Sequence, residues 1–173
     1  MKHFVLLLLA VVLPLSACDT TDDEAMSVTA TVIADTQLST LEAAVIEANL
    51  DDALADEGAT YTVFAPTDAA FAALLEELDA TAAQLLARAD LGAILQLHVV
   101  SGSELFADDM SVGDTVTTLN GETLTVVSVG TNGLGLDTED DDTEANATIV
   151  TTDIGASNGV VHKINAVLLP SDS

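Results

Sequence analysis

The sequence predicts one α+β domain behind an export signal, and three observations carry that prediction. Helical periodicity fills the first half of the chain, strand patterning with tight turns fills the second, and an apolar leader ends at a single cysteine. Helices first and strands second imply layers segregated around one core. Hydrophobic residues make up 49% of the 173, which fits a globular Ala/Val/Leu core and not a disordered chain.

The leader comes first. Lys2 precedes an apolar run from Phe4 to Leu13, followed by Pro14 and the tetrad Leu15-Ser16-Ala17-Cys18. A positive start, a short apolar run and small residues before a cut describe a secretory signal; a bilayer span wants about 20 apolar residues. The tetrad has the form of a bacterial lipobox, with cleavage before Cys18 and lipid on its sulfur. Cys18 is the only cysteine, so it forms no internal disulfide, and acylation accounts for an exported thiol. The expected organisation is a leader over 1–17, an acidic tether over 18–27, a domain over 28–170 and a tail over 171–173.

Within the domain, Ser39-Thr40-Leu41-Glu42 has the spacing of a capping box, and Leu41, Ala44, Val45 and Ala48 follow on one helical face. Gly58 closes a second helical piece, residues 60–64 read as a strand, and Pro66 stops it for want of an N–H. Thr67 and Asp68 cap a helix whose buried face is Phe71, Leu74, Leu75 and Leu78. Thr81 and Gln84 form another capping box. Asp90 begins a helix with Leu91, Ile94, Leu95 and His98 on one stripe and Gly102 beyond its end. Residues 116–119, Asn120-Gly121 and 122–129 read as a hairpin. After a turn at Thr131-Asn132-Gly133 and a strand over 134–136, the acidic stretch 137–146 reads as a loop. A strand over 147–154, a turn over 156–159 and one or two strands over 160–169 close the domain.

All 29 acidic residues follow the leader, against Arg88 and Lys163 as the only strong bases there; the whole chain carries a formal charge of −26. Nucleic acid is excluded as a partner, because phosphate binding needs clustered Lys and Arg. Direct contact with anionic headgroups is disfavoured by the same sign. The acidity reads either as adaptation of the whole surface to salt or, in part, as a divalent-cation site. Calcium takes several oxygen ligands, which makes Asp137, Glu139, Asp140, Asp141 and Asp142 its candidates, although the stretch lacks the order of an EF-hand. A solvated acidic loop is the default reading of the stretch.

Catalytic constellations are sparse. His162 alternates with Val160 and Ile164, which puts all three on one strand face, and His98 lies on an apolar helical stripe. Both read as core histidines with bonded ring nitrogens. No nucleophile elbow and no SxxK pair is expected, and with His3 lost in the leader no zinc-ligand spacing remains. Neither catalytic residues nor a cofactor are expected.

Two stretches then point to a family. Thr62-Val63-Phe64-Ala65-Pro66-Thr67-Asp68-Ala69-Ala70-Phe71 closely resembles the first signature block of the fasciclin-like domain family. The run from Asn158 and Gly159 through His162 to Pro170 resembles the second, and Leu97-His98-Val99-Val100 resembles the central histidine segment. The resemblance implies a wedge-shaped β-sandwich flanked by several short helices, with structural roles for Thr62, Phe64, Pro66, Thr67, Phe71, His98, Asn158, Gly159, His162 and Pro170. It further implies a non-enzymatic extracellular module for adhesion to a protein or polysaccharide, here held to the membrane by lipid. An envelope receptor for a small molecule or glycan is the alternative, and an uncharacterised hydrolase the third.

Overall fold

The structure is a computed structural model that describes residues 26–129, 133–138 and 146–170. In chain order the elements are α1 (Val28–Ala34), α2 (Ser39–Glu47), α3 (Asp51–Leu54), β1 (Tyr61–Pro66), α4 (Asp68–Glu77), α5 (Ala82–Leu86), α6 (Leu91–Leu97) and β2 (Val99–Ser101). Five strands follow: β3 (Thr115–Thr117), β4 (Thr123–Val129), β5 (Gly133–Asp137), β6 (Ala147–Ala156) and β7 (Gly159–Ile164). The strands form one seven-stranded sheet in the order β2-β1-β7-β6-β5-β4-β3. Its two edges come back together, because Val100 bridges Thr118 and the Leu119 N–H donates to the Val99 carbonyl at 2.8 Å. The sheet therefore curls into a nearly closed barrel, which removes most of its free edge.

All pairings are antiparallel except β1 with β7, which run parallel in register from Tyr61↔Gly159 to Pro66↔Ile164. Every residue of β1 and β7 is buried, as expected for parallel strands covered on both faces. Strand alternation sends Tyr61, Val63, Ala65 and Val161 outward, into a core shared with Val28, Leu41, Val45, Phe71, Leu91 and Leu95 of the helices. It sends Phe64 and Ile164 inward, against Leu97, Leu124, Val126, Leu136, Ile149 and Leu168. The domain thus has two apolar cores, one on each side of the β1–β7 pair.

Local chemistry set some helix ends and tertiary chemistry set others. Thr81 and Gln84 do form the capping box: the Thr81 hydroxyl accepts from the Gln84 N–H at 3.3 Å, and the Gln84 side-chain oxygen accepts from the Thr81 N–H at 2.8 Å. Thr67 caps α4 through the Ala70 N–H. The expected box at Ser39 is absent. Ser39 is already helical, Leu38 holds the cap position, and the acceptors come from Asp68 at the start of α4. Its carboxylate takes the Thr40 N–H and the Ser39 hydroxyl, each at 2.8 Å. Asp90 likewise makes no side-chain cap, because its carboxylate is taken by the Arg88 guanidinium. Asp137 is the last residue of β5, opposite Thr125, and is 1% exposed, so the acidic stretch does not begin as a solvated loop. Helix α1, capped by Ser27, was not apparent in the sequence pattern.

Candidate functional site

The chemistry-bearing residues of the two signature blocks meet along the β1–β7 seam. On the inward face, Thr62 lies opposite Val160 and Phe64 opposite His162. The Thr62 hydroxyl, fully buried, donates to the Ser103 carbonyl and accepts from the Leu105 N–H, both at 2.9 Å. His162 Nε2 donates to the Leu105 carbonyl at 2.6 Å, and its Nδ1 accepts from the Asp153 N–H at 3.2 Å. Those partners fix one neutral tautomer, since a carbonyl needs a ring N–H and an amide N–H needs a ring lone pair. Burial pushes the imidazole below the ordinary histidine value, and the Leu105 bond and the Asp153 charge offset only part of that.

His98 is arranged in the opposite sense. It ends α6, where its Nδ1 donates to the Ile94 carbonyl one turn back at 2.7 Å. Its Nε2 accepts from the Leu168 N–H at 2.9 Å, tying the closing segment to the helix. Burial pushes this ring down to about 4, opposed by the bond to Ile94. At neutral pH both histidines are uncharged, with each ring nitrogen bonded to backbone, and neither offers a free lone pair to a substrate.

Asn158 and Gly159 anchor the other end of the seam. Asn158 Oδ1 accepts from the Val28 N–H at the start of α1 (2.8 Å), while its Nδ2 donates to the carbonyls of Leu54 (2.8 Å) and Asp56 (3.1 Å). The Tyr61 N–H donates to the Asn158 carbonyl at 3.0 Å. One side chain therefore joins two helices to the turn before β7. Gly159 has φ +155°, and a Cβ there would lie 1.9 Å from the Tyr61 carbonyl oxygen, so only glycine permits this approach. Lys163, on the outward face, pairs with Asp35 and donates to Gln37 Oε1 at 3.0 Å, fastening the turn between α1 and α2.

Pro66 ends β1, Phe71 is buried in the helical core, and Pro170 borders a groove of about 310 Å³ with Leu74, Glu77, Thr138, Asn146 and Leu169. Of the five calcium candidates, Asp137 is buried at the end of β5, while Glu139, Asp140, Asp141 and Asp142 lie outside the described residues, as does Cys18. Among the described residues, no group of three or more His, Cys, Asp or Glu is placed to hold a metal ion. The spacing G-x-S-x-G does occur once, as Gly155-Ala156-Ser157-Asn158-Gly159, against the expectation of no elbow. It forms the β6–β7 turn and not a strand-to-helix corner, which is the setting that exposes a nucleophile. Sequence reasoning missed Asp153, which sits at a bulge of β6 with φ 59°, and Asp68 as a remote cap. An aspartate between threonine and isoleucine is the weak signal that was available for the first.

These features define a class: an α+β domain whose curled sheet is laced by two terminal signature strands and their buried polar residues. The chain belongs to the fasciclin family, since residues 36–170 match the model of the Fasciclin domain. It is 37% identical to the Synechocystis sp. protein sll1735 over 79% of this chain and 92% of that relative. It is 36% identical to the cell surface glycolipoprotein MPB83 of Mycobacterium bovis over 72% of this chain, and spans about half (49%) of that relative. Among solved structures, a FAS1 domain pair from the insect cell adhesion molecule fasciclin I superposes with a TM-score of 0.71 at 18% identity, over 85% of this chain and 52% of that one. That likeness concerns the fold.

Proposed function

We propose that this chain is a non-enzymatic, lipid-anchored module of the cell envelope that mediates adhesion or association with a surface or matrix. The observation that carries the reading is the inward turn of the signature residues. Thr62, His98, Asn158 and His162 all bond the domain's own backbone, so the signature residues serve the fold and the outer surface meets other molecules. The cell-surface relative MPB83 and the lipobox ending at Cys18 support the location. One domain gives one contact, so firm attachment comes from many copies on one membrane.

The test is attachment of beads that carry the chain from Cys18 onward, coupled through that residue. Bead-to-bead and bead-to-cell clumping is scored in high and low salt, with calcium or with chelator. Attachment of beads to cells is expected. No attachment under any condition, with the chain shown to be folded, contradicts the reading. That result favours capture of a small ligand, for which the groove beside Pro170 is the specific support: its 310 Å³ lies at the lower end of ligand-pocket volumes, about 300–1,000 Å³.

A further inference from the structure

The loop between β2 and β3 carries an aromatic ring that the rest of the fold holds out to solvent. Phe106 is 40% exposed, whereas Phe64 and Phe71 are buried. Its neighbours Leu105 and Ala107 pack against the barrel core, so alternation turns Phe106 outward. The backbone on either side is pinned. Leu105 donates its N–H to Thr62 and accepts from His162, while Ala107 donates its N–H to the Asp153 carboxylate at 2.8 Å. Asp153 does this from a left-handed conformation at a bulge of β6, an arrangement uncommon for a residue with a side chain. The loop is thus fixed before any partner arrives. Acidic side chains surround the ring in sequence: Glu104 precedes it, and Asp108 and Asp109 follow within the turn closed by the bond from the Asp109 N–H to the Phe106 carbonyl. All three are exposed.

We propose that Phe106, flanked by Glu104, Asp108 and Asp109, anchors a docking surface for a partner protein that offers an apolar pocket rimmed by Lys and Arg. Aromatic anchors seated in a pocket carry much of an interface's binding energy, and a pre-fixed loop loses little entropy on docking. The acidic flank selects the sign of the rim and speeds encounter. A second copy of this chain is a poor occupant, because the chain carries a formal charge of −26 and has only Arg88 and Lys163 as strong bases beyond the leader. The proposal rests on the adhesion reading and names the surface that performs it.

Bead attachment tests both together. Phe106→Ala is expected to weaken it by at least about tenfold with an unchanged melting curve, and the triple variant Glu104→Gln/Asp108→Asn/Asp109→Asn to lose most of its salt dependence. Wild-type attachment that Phe106→Ala leaves intact overturns this inference and leaves adhesion standing. If wild-type beads do not attach, adhesion falls, and an amide-shift titration decides the inference. Its probe is an amino-substituted cyclodextrin, a soluble apolar cavity rimmed by ammonium groups. Shifts gathered on residues 104–110 and lost in Phe106→Ala uphold the surface; shifts spread over the acidic exterior, or none, overturn it.

Discussion

Phe64 and His162 stack across the parallel β1–β7 pair, ring centroids 5.7 Å apart and planes inclined by 25°. Each comes from a different signature block, so the contact joins the two ends of the family pattern in the middle of the inner core. The imidazole offers its face to Phe64 and both nitrogens to backbone. It is a spacer that is apolar on its face and polar at its edge, which neither leucine nor glutamine reproduces.

Replacing it tests that role. His162→Ala is expected to cost about 1–3 kcal/mol, because the Leu105 carbonyl and the Asp153 N–H lose their partner and the Phe64 ring loses packing. Urea unfolding monitored by circular dichroism measures it, and an unchanged midpoint contradicts the role.

Stability should also depend on pH between about 6.5 and 4. Both folded-state imidazoles lie below the ordinary histidine value, His98 at about 4, so the unfolded chain binds more protons in that window. The contribution is fully present above the unfolded value and is lost as pH falls towards the folded one. At about 1.4 kcal/mol per unit, the fall of His98 from 6.5 to about 4 accounts for roughly 3–4 kcal/mol across the window, of which about 2 kcal/mol is lost by pH 5. The lowered carboxyls of Asp35, Asp68 and Asp90 act in the same sense but only below about 4, which separates the two effects. Urea midpoints at pH 7 and pH 5 in high salt, where charge repulsion is screened, should show the loss; a flat profile contradicts it.

Gly159→Ala should prevent folding or cost more than about 4 kcal/mol. The added carbon meets the Tyr61 carbonyl, a backbone atom of the neighbouring strand that has nowhere to move. Soluble yield and melting temperature report it, and Gly155→Ala, whose added carbon meets nothing within 4 Å, is the matched control.

The cap of α2 gives a pair of variants with opposite expectations. Burial by itself raises the Asp68 carboxyl, yet the bonds from Thr40 and Ser39 outweigh it and hold the group below the ordinary value. Asp68→Ala should therefore destabilise by about 1 kcal/mol, as loss of a capping residue does. Ser39→Ala should change stability by less than about 0.5 kcal/mol. The reverse ranking would restore the capping box that the sequence spacing suggests.

That pair also shows what can be read from sequence here. Thr81 and Gln84 were legible because their box closes within one turn, so spacing alone specifies it. Ser39 and Glu42 have the same spacing, but Asp68 outcompetes the local serine from another helix, and no local window contains that fact. The inward face of His162 followed from alternation with Val160 and Ile164. Its partners did not, because Leu105 and Asp153 arrive from a loop and a bulged strand. Helix α1, VTATVIA, is rich in β-branched residues, which are weak helix formers, and its helicity rests on the Ser27 cap and on burial of Val28 and Val32. The parallel β1–β7 pairing and the meeting of Val100 with Thr118 join distant segments, and nothing local indicated either.

The most direct test of the central claim, that the signature histidines are internal struts and the domain acts through its surface, is a nitrogen-15 spectrum of the two imidazoles at neutral pH. The structure predicts two neutral rings of opposite tautomer, protonated at Nδ1 in His98 and at Nε2 in His162, with His98 titrating at about 4 and His162 below the ordinary histidine value. Rings that exchange between tautomers and titrate near 6.5, as solvated histidines do, would contradict it and return His98 and His162 to the list of candidate catalytic bases.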